Sequence, residues 1–113
     1  MACRGKVNIK PLSVNDAWQG RRFKTDLYKQ YEHDLAFLLP RLKLPPPPYY
    51  IRYIFGVSNA ASDFDNPVKP LTDILQKKYG FNDKHIMEAH IKKVIVPKGA
   101  EFFEFEILNH SEI

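Results

Sequence analysis

The sequence of 113 residues contains a single cysteine, five glycines and no long apolar run. Cys3 has no second cysteine to pair with, which excludes an intrachain disulfide framework. No apolar stretch approaches the roughly 20 residues that a membrane-spanning helix requires. Residues 1–6 also lack the uninterrupted apolar core of a secretory signal. We therefore expect a cytoplasmic protein that does not enter a membrane.

Several common site signatures are missing as well. The sequence has no glycine-rich loop of the kind that cradles phosphates and no serine turn of the hydrolase type. Its histidines lack the spacing of a zinc site, so they are expected to be surface or packing residues. These histidines are His33, His85, His90 and His110.

Length and charge place further bounds on the function. The chain is the size of one domain, so residues 1–113 must combine catalysis and partner binding on a single scaffold. The net charge of +4 is uneven, because residues 1–53 carry ten Lys/Arg against four Asp/Glu and residues 54–113 carry seven against nine. A basic surface beside an acidic pocket suits a protein that binds a polyanion through cations. A solvated surface with chance asymmetry is the alternative.

Apolar periodicity and breaker residues predict the elements. Alternation predicts strands, spacings of three and four predict helices, and the consecutive prolines predict a stiff extended connector. Thr25 and Asn66 suit helix N-caps, and Gly80 suits a C-terminal stop. The expected order is a strand at 5–10, a basic loop at 18–24, a helix at 25–39, the connector at 45–48, a strand at 51–57, a helix at 67–79, and β-rich runs at 88–96 and 101–108.

The last two runs are joined by a short Pro- and Gly-containing segment, which predicts a hairpin. The order β-α-β-α-β-β then predicts an α+β fold in which two helices pack on a mixed sheet of about four strands.

Two aspartates lie where the second strand has ended and the second helix is about to begin. In an extended segment, Asp63 and Asp65 would point to the same side while Phe64 turned into the core. Two converging carboxylates form half of a magnesium site, because Mg²⁺ prefers hard oxygen ligands and keeps several waters. The alternative is that both carboxylates only stabilise the N-terminus of the helix, whose dipole favours negative charge.

Lys69 and Asp83 extend this acidic group. Lys69 follows Asp65 by four residues and precedes Asp73 by four, so its ammonium group could stabilise a phosphate or help orient the attacking water. An exposed Lys69–Asp73 pair of small energetic value is the alternative. Asp83 follows the second helix as a third carboxylate, although Asn-Asp after a glycine is also ordinary turn chemistry.

These residues together resemble the RusA family of Holliday junction resolvases. The shared signature is an Asp-x-Asp-Asn run, a lysine four residues later and an aspartate in a Gly-Phe loop beyond the helix, here Asp63, Asp65, Asn66, Lys69 and Asp83. The segment at 11–15 is also similar to the family's Pro-Pro-Ser-Asn-Asn, with Leu12 in place of the second proline. The resemblance spans most of the chain in the right order.

The resemblance implies an activity, a cofactor and a partner. It implies a homodimeric endodeoxyribonuclease of DNA recombination and repair that makes paired cuts in four-way DNA junctions. Asp63, Asp65 and Asp83 would bind Mg²⁺, for which Mn²⁺ can substitute, and Lys69 would be needed for cleavage. A non-catalytic DNA-binding module and a nuclease for flaps or other branched DNA are the alternatives.

The basic loop at 18–24 contains the expected DNA contacts. Arg21, Arg22 and Lys24 are candidates for phosphate binding, and Asn15 joins them through its place in the family-like segment. Trp18 and Phe23 are either stacking platforms at an open junction or core aromatics.

The position of Asp83 poses a geometric question. A helix over residues 67–79 would be about 20 Å long, with Asp65 before it and Asp83 beyond its far end. Either the helix is shorter or bent, so that Asp83 folds back, or the third carboxylate of each site comes from the second protomer.

Overall fold

We analysed a computed structural model, which describes residues 2–20 and 23–113. Two helices pack on a four-stranded mixed sheet, so the expected α+β fold is confirmed. A two-stranded ribbon and three short 3₁₀ turns lie outside this framework. The strands are β1 Ala2–Val7, β2 Trp18–Gln19, β3 Phe23–Lys24, β4 Tyr49–Val57, β5 Ile86–Ile95 and β6 Phe102–Asn109, and the helices are α1 Asp26–Leu38 and α2 Val68–Tyr79.

Helix α1 forms where the spacing of apolar residues predicted it. Thr25 caps it, since its hydroxyl oxygen accepts a hydrogen bond from the backbone N–H of Tyr28 at 3.2 Å. Tyr28, Tyr31 and Leu35 recur on one face and are buried against the sheet. One side of a 13-residue helix therefore contributes to the core.

Helix α2 ends at the predicted residue but begins differently from the prediction. Gly80 follows it with φ of 73°, the left-handed conformation that closes many helices. The prediction of Asn66 as N-cap is wrong, because Pro67 occupies that position and makes no capping hydrogen bond with its side chain. Asn66 instead uses its backbone N–H in a turn with the carbonyl oxygen of Asp63 at 3.3 Å.

The sheet has the order β1-β6-β4-β5. Strand β4 lies between β5, to which it is parallel, and β6, to which it is antiparallel. The predicted hairpin is therefore wrong, since the two C-terminal strands flank β4 and do not pair with each other. The chain crosses the end of β4 instead, where the backbone N–H of Val96 donates a hydrogen bond of 2.9 Å to the carbonyl oxygen of Val57.

The first strand begins and ends earlier than the predicted 5–10. Its register runs from Ala2 opposite Leu108 to Val7 opposite Phe103. Strand β6 begins at Phe102, one residue beyond the partner of Val7, so the pairing that defines β1 ends close to the end of its neighbour.

The core lies between the two helices and one face of the sheet. Ile51, Tyr53 and Phe55 alternate inward along the central strand β4. The hydroxyl groups of Tyr53 and Thr72 lie 2.8 Å apart in a hydrogen bond that joins β4 to α2 inside this core. No helix in residues 2–20 and 23–113 is long and apolar enough to cross a membrane.

The other face of the sheet is charged, and positive and negative residues alternate across it. Arg4 lies 3.0 Å from Glu106 and Arg52 lies 3.6 Å from the same carboxylate, while Lys6 lies 4.0 Å from Glu104. The basic N-terminal half and the acidic C-terminal half are therefore interleaved here by β-pairing. The charge asymmetry along the sequence does not become two separate surfaces on this face.

Candidate active site

Two of the three expected metal ligands, Asp63 and Asp65, lie on the acidic loop, defined here as residues 58–67 between β4 and α2. Asp63 and Asp65 are both exposed to solvent. The segment is a series of turns and is not extended, because the backbone N–H of Val68 donates to the carbonyl oxygen of Asp65 at 3.0 Å. The prediction that Phe64 enters the core is wrong, since its side chain is 56% exposed.

Neither carboxylate has a capping role. Helix α2 has no side-chain cap at its N-terminus. Within residues 2–20 and 23–113, no group donates a hydrogen bond to the side chain of Asp63 or Asp65 or forms an ion pair with it. Both residues are exposed, and no capping hydrogen bond accounts for them in this part of the chain.

Lys69 lies in the first turn of α2 and binds Asp73 one turn later. Its Nζ is 2.8 Å from Oδ1 of Asp73. This hydrogen bond raises the pKa of Lys69 above its usual value, and the negative charges of Asp73 and Asp83 raise it further. Lys69 is therefore a permanent cation near neutral pH, suited to stabilising charge and not to accepting a proton.

The chain folds back after α2, and this places Asp83 beside the helix. The backbone N–H of Asp83 donates a hydrogen bond of 2.8 Å to Oε1 of Gln76, and Nε2 of Gln76 lies 3.4 Å from Oδ1 of Asp73. The loop after α2 therefore returns to the last turn of the helix, and the charge of Asp83 contributes to the raised pKa of Lys69. The helix of 12 residues is close to its predicted length, and the contribution of Asp83 to the site, from the same chain or from the second protomer, stays a prediction.

Gln76 carried no signal in the sequence, and Asp73 was predicted only as the surface partner of Lys69. The structure makes Asp73 a shared acceptor, with a side chain that is only 28% exposed. Its i+4 spacing from Lys69 identified the pair. Only the reversal after Gly80 connects it through Gln76 to Asp83.

Asp63 and Asp65 fit a magnesium ion in their chemistry. Mg²⁺ is usually held by one or two protein carboxylates, with water and substrate phosphates completing the octahedron. In the part of the chain that the structure describes, no three His, Cys, Asp or Glu side chains form a group that could hold a metal ion. A three-carboxylate cluster with Asp83 therefore stays a prediction. The candidate oxygen ligands on the acidic loop are the exposed carboxylates of Asp63 and Asp65.

The N-terminal segment that resembles the family motif docks against the acidic loop. The backbone N–H of Val14 donates a hydrogen bond of 2.8 Å to the carbonyl oxygen of Asn66. Asn15 and Asp63 line the same open groove, of about 540 Å³. Two segments separated by some fifty residues in sequence thus form one surface.

The structure distinguishes the residues of the basic loop. Arg21 and Arg22 lie outside the described residues. Lys24 forms an ion pair with Glu32, because its Nζ lies 3.0 Å and 2.9 Å from the two carboxylate oxygens. The same Nζ lies 5.2 Å from the ring centre of Tyr28.

The two aromatic residues of this loop have different surroundings. Trp18 packs edge-on against Tyr28, with their ring centres 5.5 Å apart. Phe23 is 71% exposed. Of the two, Phe23 is the side chain accessible for stacking.

No protein-family model matches the chain, and no curated protein matches it.

Proposed function

We propose that the protein is a magnesium-dependent endodeoxyribonuclease that resolves four-way DNA junctions, as the resemblance to the RusA family implies. The observation that carries the proposal is the exposure of Asp63 and Asp65 on the acidic loop, where their side chains form no hydrogen bond or ion pair with the described part of the chain. Exposed carboxylates of this kind would be available to hold a cation together with a DNA phosphate.

Each proposed site residue has a distinct task. Asp63 and Asp65 would hold Mg²⁺, or Mn²⁺ in its place, with Asp83 contributing from the returning loop. When bound, the ion would polarise the phosphate and lower the pKa of an attacking water. Lys69 is held protonated by Asp73 and would stabilise negative charge that develops on the phosphate.

DNA would reach this site across the surface formed by the N-terminal segment and the basic loop. Asn15 lies on the same groove as Asp63 and is exposed, so its amide can bind a sugar or phosphate oxygen. Arg21 and Arg22 would neutralise backbone phosphates. Lys24 would contribute less, since Glu32 already neutralises its charge.

Paired cuts in a junction require two active sites. We therefore propose a homodimer with one site in each protomer, related by a twofold axis. For a chain of 13.2 kDa, light scattering coupled to gel filtration should give about twice this mass.

The decisive experiment compares three labelled DNA substrates with and without Mg²⁺: a four-way junction, a flap and a linear duplex. The proposal expects Mg²⁺-dependent cleavage of the junction in preference to the other two. Asp63→Asn should abolish cleavage while leaving junction binding in EDTA intact. Asp26→Asn removes one exposed carboxylate from the first turn of α1 and serves as the matched control.

Two results would replace the proposal with its alternatives. Junction binding without any cleavage in Mg²⁺ or Mn²⁺ would assign the chain as a DNA-binding module. Equal or faster cleavage of the flap would assign a nuclease of different specificity.

A further inference from the structure

Lys93 occupies a position at which an apolar residue is expected. It lies on the edge strand β5, opposite Phe55 of β4 in the parallel register. Paired residues on neighbouring strands point to the same face of a sheet, so Lys93 belongs to the face that the helices cover. Ile91 and Ile95 occupy the positions two residues before and after it on that face.

The ammonium group of Lys93 is used to bind backbone. Its Nζ donates hydrogen bonds to the carbonyl oxygens of Ala60 at 3.0 Å and Ser62 at 2.6 Å. Both acceptors belong to the acidic loop, and Ser62 is the residue before Asp63. One half-buried cation therefore joins two points of this loop to the sheet.

These two hydrogen bonds hold the acidic loop at residues 60–62, where the loop's own hydrogen bonds are few. Turns such as that from the carbonyl oxygen of Asn59 to the backbone N–H of Ser62, at 3.1 Å, are short and exposed. A lysine that binds two nearby carbonyl oxygens restricts the backbone that leads into Asp63, because both dipoles must face one charge. Without it, the backbone between Asn59 and Asp63 would be held by these turns, while the far end of the loop keeps the hydrogen bond from Val14 to Asn66.

We propose that Lys93 is the positioning residue of the acidic loop, holding Asp63 and Asp65 in the orientation that binds the divalent cation. This inference rests on the proposed function for the identity of the ligand. Among the described residues Lys93 forms no ion pair, and it acts through the backbone at Ala60 and Ser62. Its removal should weaken cation binding and turnover while leaving DNA binding unaffected.

The test uses Lys93→Met, which keeps the length of the stem and removes the donors. Lys92→Met is the matched control, since the neighbouring lysine is exposed and points to the other face. Binding of Mn²⁺ is measured directly, by paramagnetic broadening of the amide resonances of residues 60–66. Lys93→Met should require about tenfold more Mn²⁺ for half-maximal broadening, as is usual when a group behind a metal ligand is lost.

Cleavage kinetics supply the second readout. On a four-way junction, Lys93→Met should lower kcat by about tenfold at subsaturating Mg²⁺, with junction affinity in EDTA unchanged. Lys93→Arg should recover most of the loss, because the guanidinium can donate to two carbonyl oxygens. Unaltered Mn²⁺ broadening and Mg²⁺ dependence in Lys93→Met would overturn the inference.

The two proposals can fail separately. If the wild-type protein cleaves no DNA but Mn²⁺ still broadens residues 60–66 in a Lys93-dependent way, the function is wrong and the positioning role stands. If Lys93→Met does not fold, Lys93→Arg and Lys93→Gln retain donors of different reach. Mn²⁺ affinity in the order Lys, Arg, Gln then supports the role, and equal affinity in the two variants and the wild type overturns it.

Discussion

The backbone N–H of Asp83 donates a hydrogen bond of 2.8 Å to the side-chain oxygen of Gln76, seven residues earlier in the chain. The same side chain directs its nitrogen at Asp73, at 3.4 Å. The side-chain amide can do both, because its oxygen accepts and its nitrogen donates. Gln76 therefore joins the backbone at Asp83 to the carboxylate of Asp73 and holds the returning loop against α2.

Gln76→Leu should detach this loop. We expect cleavage of a four-way junction to fall about tenfold, with Gln76→Glu at least as impaired because a carboxylate cannot donate to Asp73 and repels it. Amide hydrogen exchange at Asp83 should accelerate in both variants. Unchanged exchange and unchanged cleavage would show that the loop is held by other contacts.

The fold-back also predicts which protomer supplies Asp83 in the proposed dimer. Asp65→Asn and Asp83→Asn proteins are mixed, unfolded and refolded together so that heterodimers form. A site completed within one chain leaves both sites of the heterodimer defective, so no nicking should return. Recovery of single nicks would mean that Asp83 acts on the partner subunit.

The pair Tyr53 and Thr72 should be coupled in stability. Tyr53→Phe leaves the buried hydroxyl of Thr72 without its partner and should lower the free energy of unfolding by about 1–2 kcal/mol. In the Tyr53→Phe background, Thr72→Val should lower the free energy of unfolding much less than it does in the wild type, because both changes remove the same hydrogen bond. Urea unfolding of the four proteins measures the coupling, with Tyr50→Phe as a control outside the core. Strict additivity would contradict the prediction.

Gly80 should be needed for its backbone conformation and not for space. Its φ is 73°, and a methyl group added there would meet no atom within 4 Å. Gly80→Ala should therefore lower the unfolding free energy by about 1 kcal/mol through strain alone. Gly80→Asn should cost less, since asparagine tolerates the left-handed region. Thermal unfolding distinguishes the two, and an equal loss in both variants would point to a contact instead.

The basic loop should divide into DNA-binding and structural cations. Arg21→Ala combined with Arg22→Ala should weaken junction binding and reduce the slope of log K against log[salt] by about two, one for each lost phosphate contact. Lys24→Ala should leave the slope nearly unchanged, because Glu32 already neutralises that ammonium group. Lys24→Ala should lower the free energy of unfolding by less than about 1 kcal/mol, through loss of the pair with Glu32. A slope change in Lys24→Ala equal to that of one arginine would contradict the division.

Local features of the sequence predicted the helices well. The apolar spacing in residues 25–39, the Thr25 cap and the Gly80 stop act within a few residues of one another, so they operate before any tertiary contact forms. Asp63, Asp65 and Lys69 were identified for a similar reason, since their residue types and spacings can be recognised within one short segment of the sequence.

Pairing and burial depended on the whole fold. The two C-terminal strands lie on either side of β4 and form no hairpin. Which strand pairs with each edge of β4 depends on contacts between residues far apart in sequence, and the turn sequence alone does not determine it. Phe64 is exposed because turns in the acidic loop replaced the extended backbone on which its inward orientation depended.

The helices, the approximate positions of the four main strands and the candidate ligands could be predicted, because they depend on residue type and on neighbours within a turn or two. The sheet order, the neutralisation of Lys24 by Glu32, the return of Asp83 to Gln76 and the anchoring of the acidic loop by Lys93 depend on contacts between segments far apart in the chain. The contact between Lys93 and Ser62 spans 31 residues. It exists only because β5 lies parallel to β4 at the sheet edge.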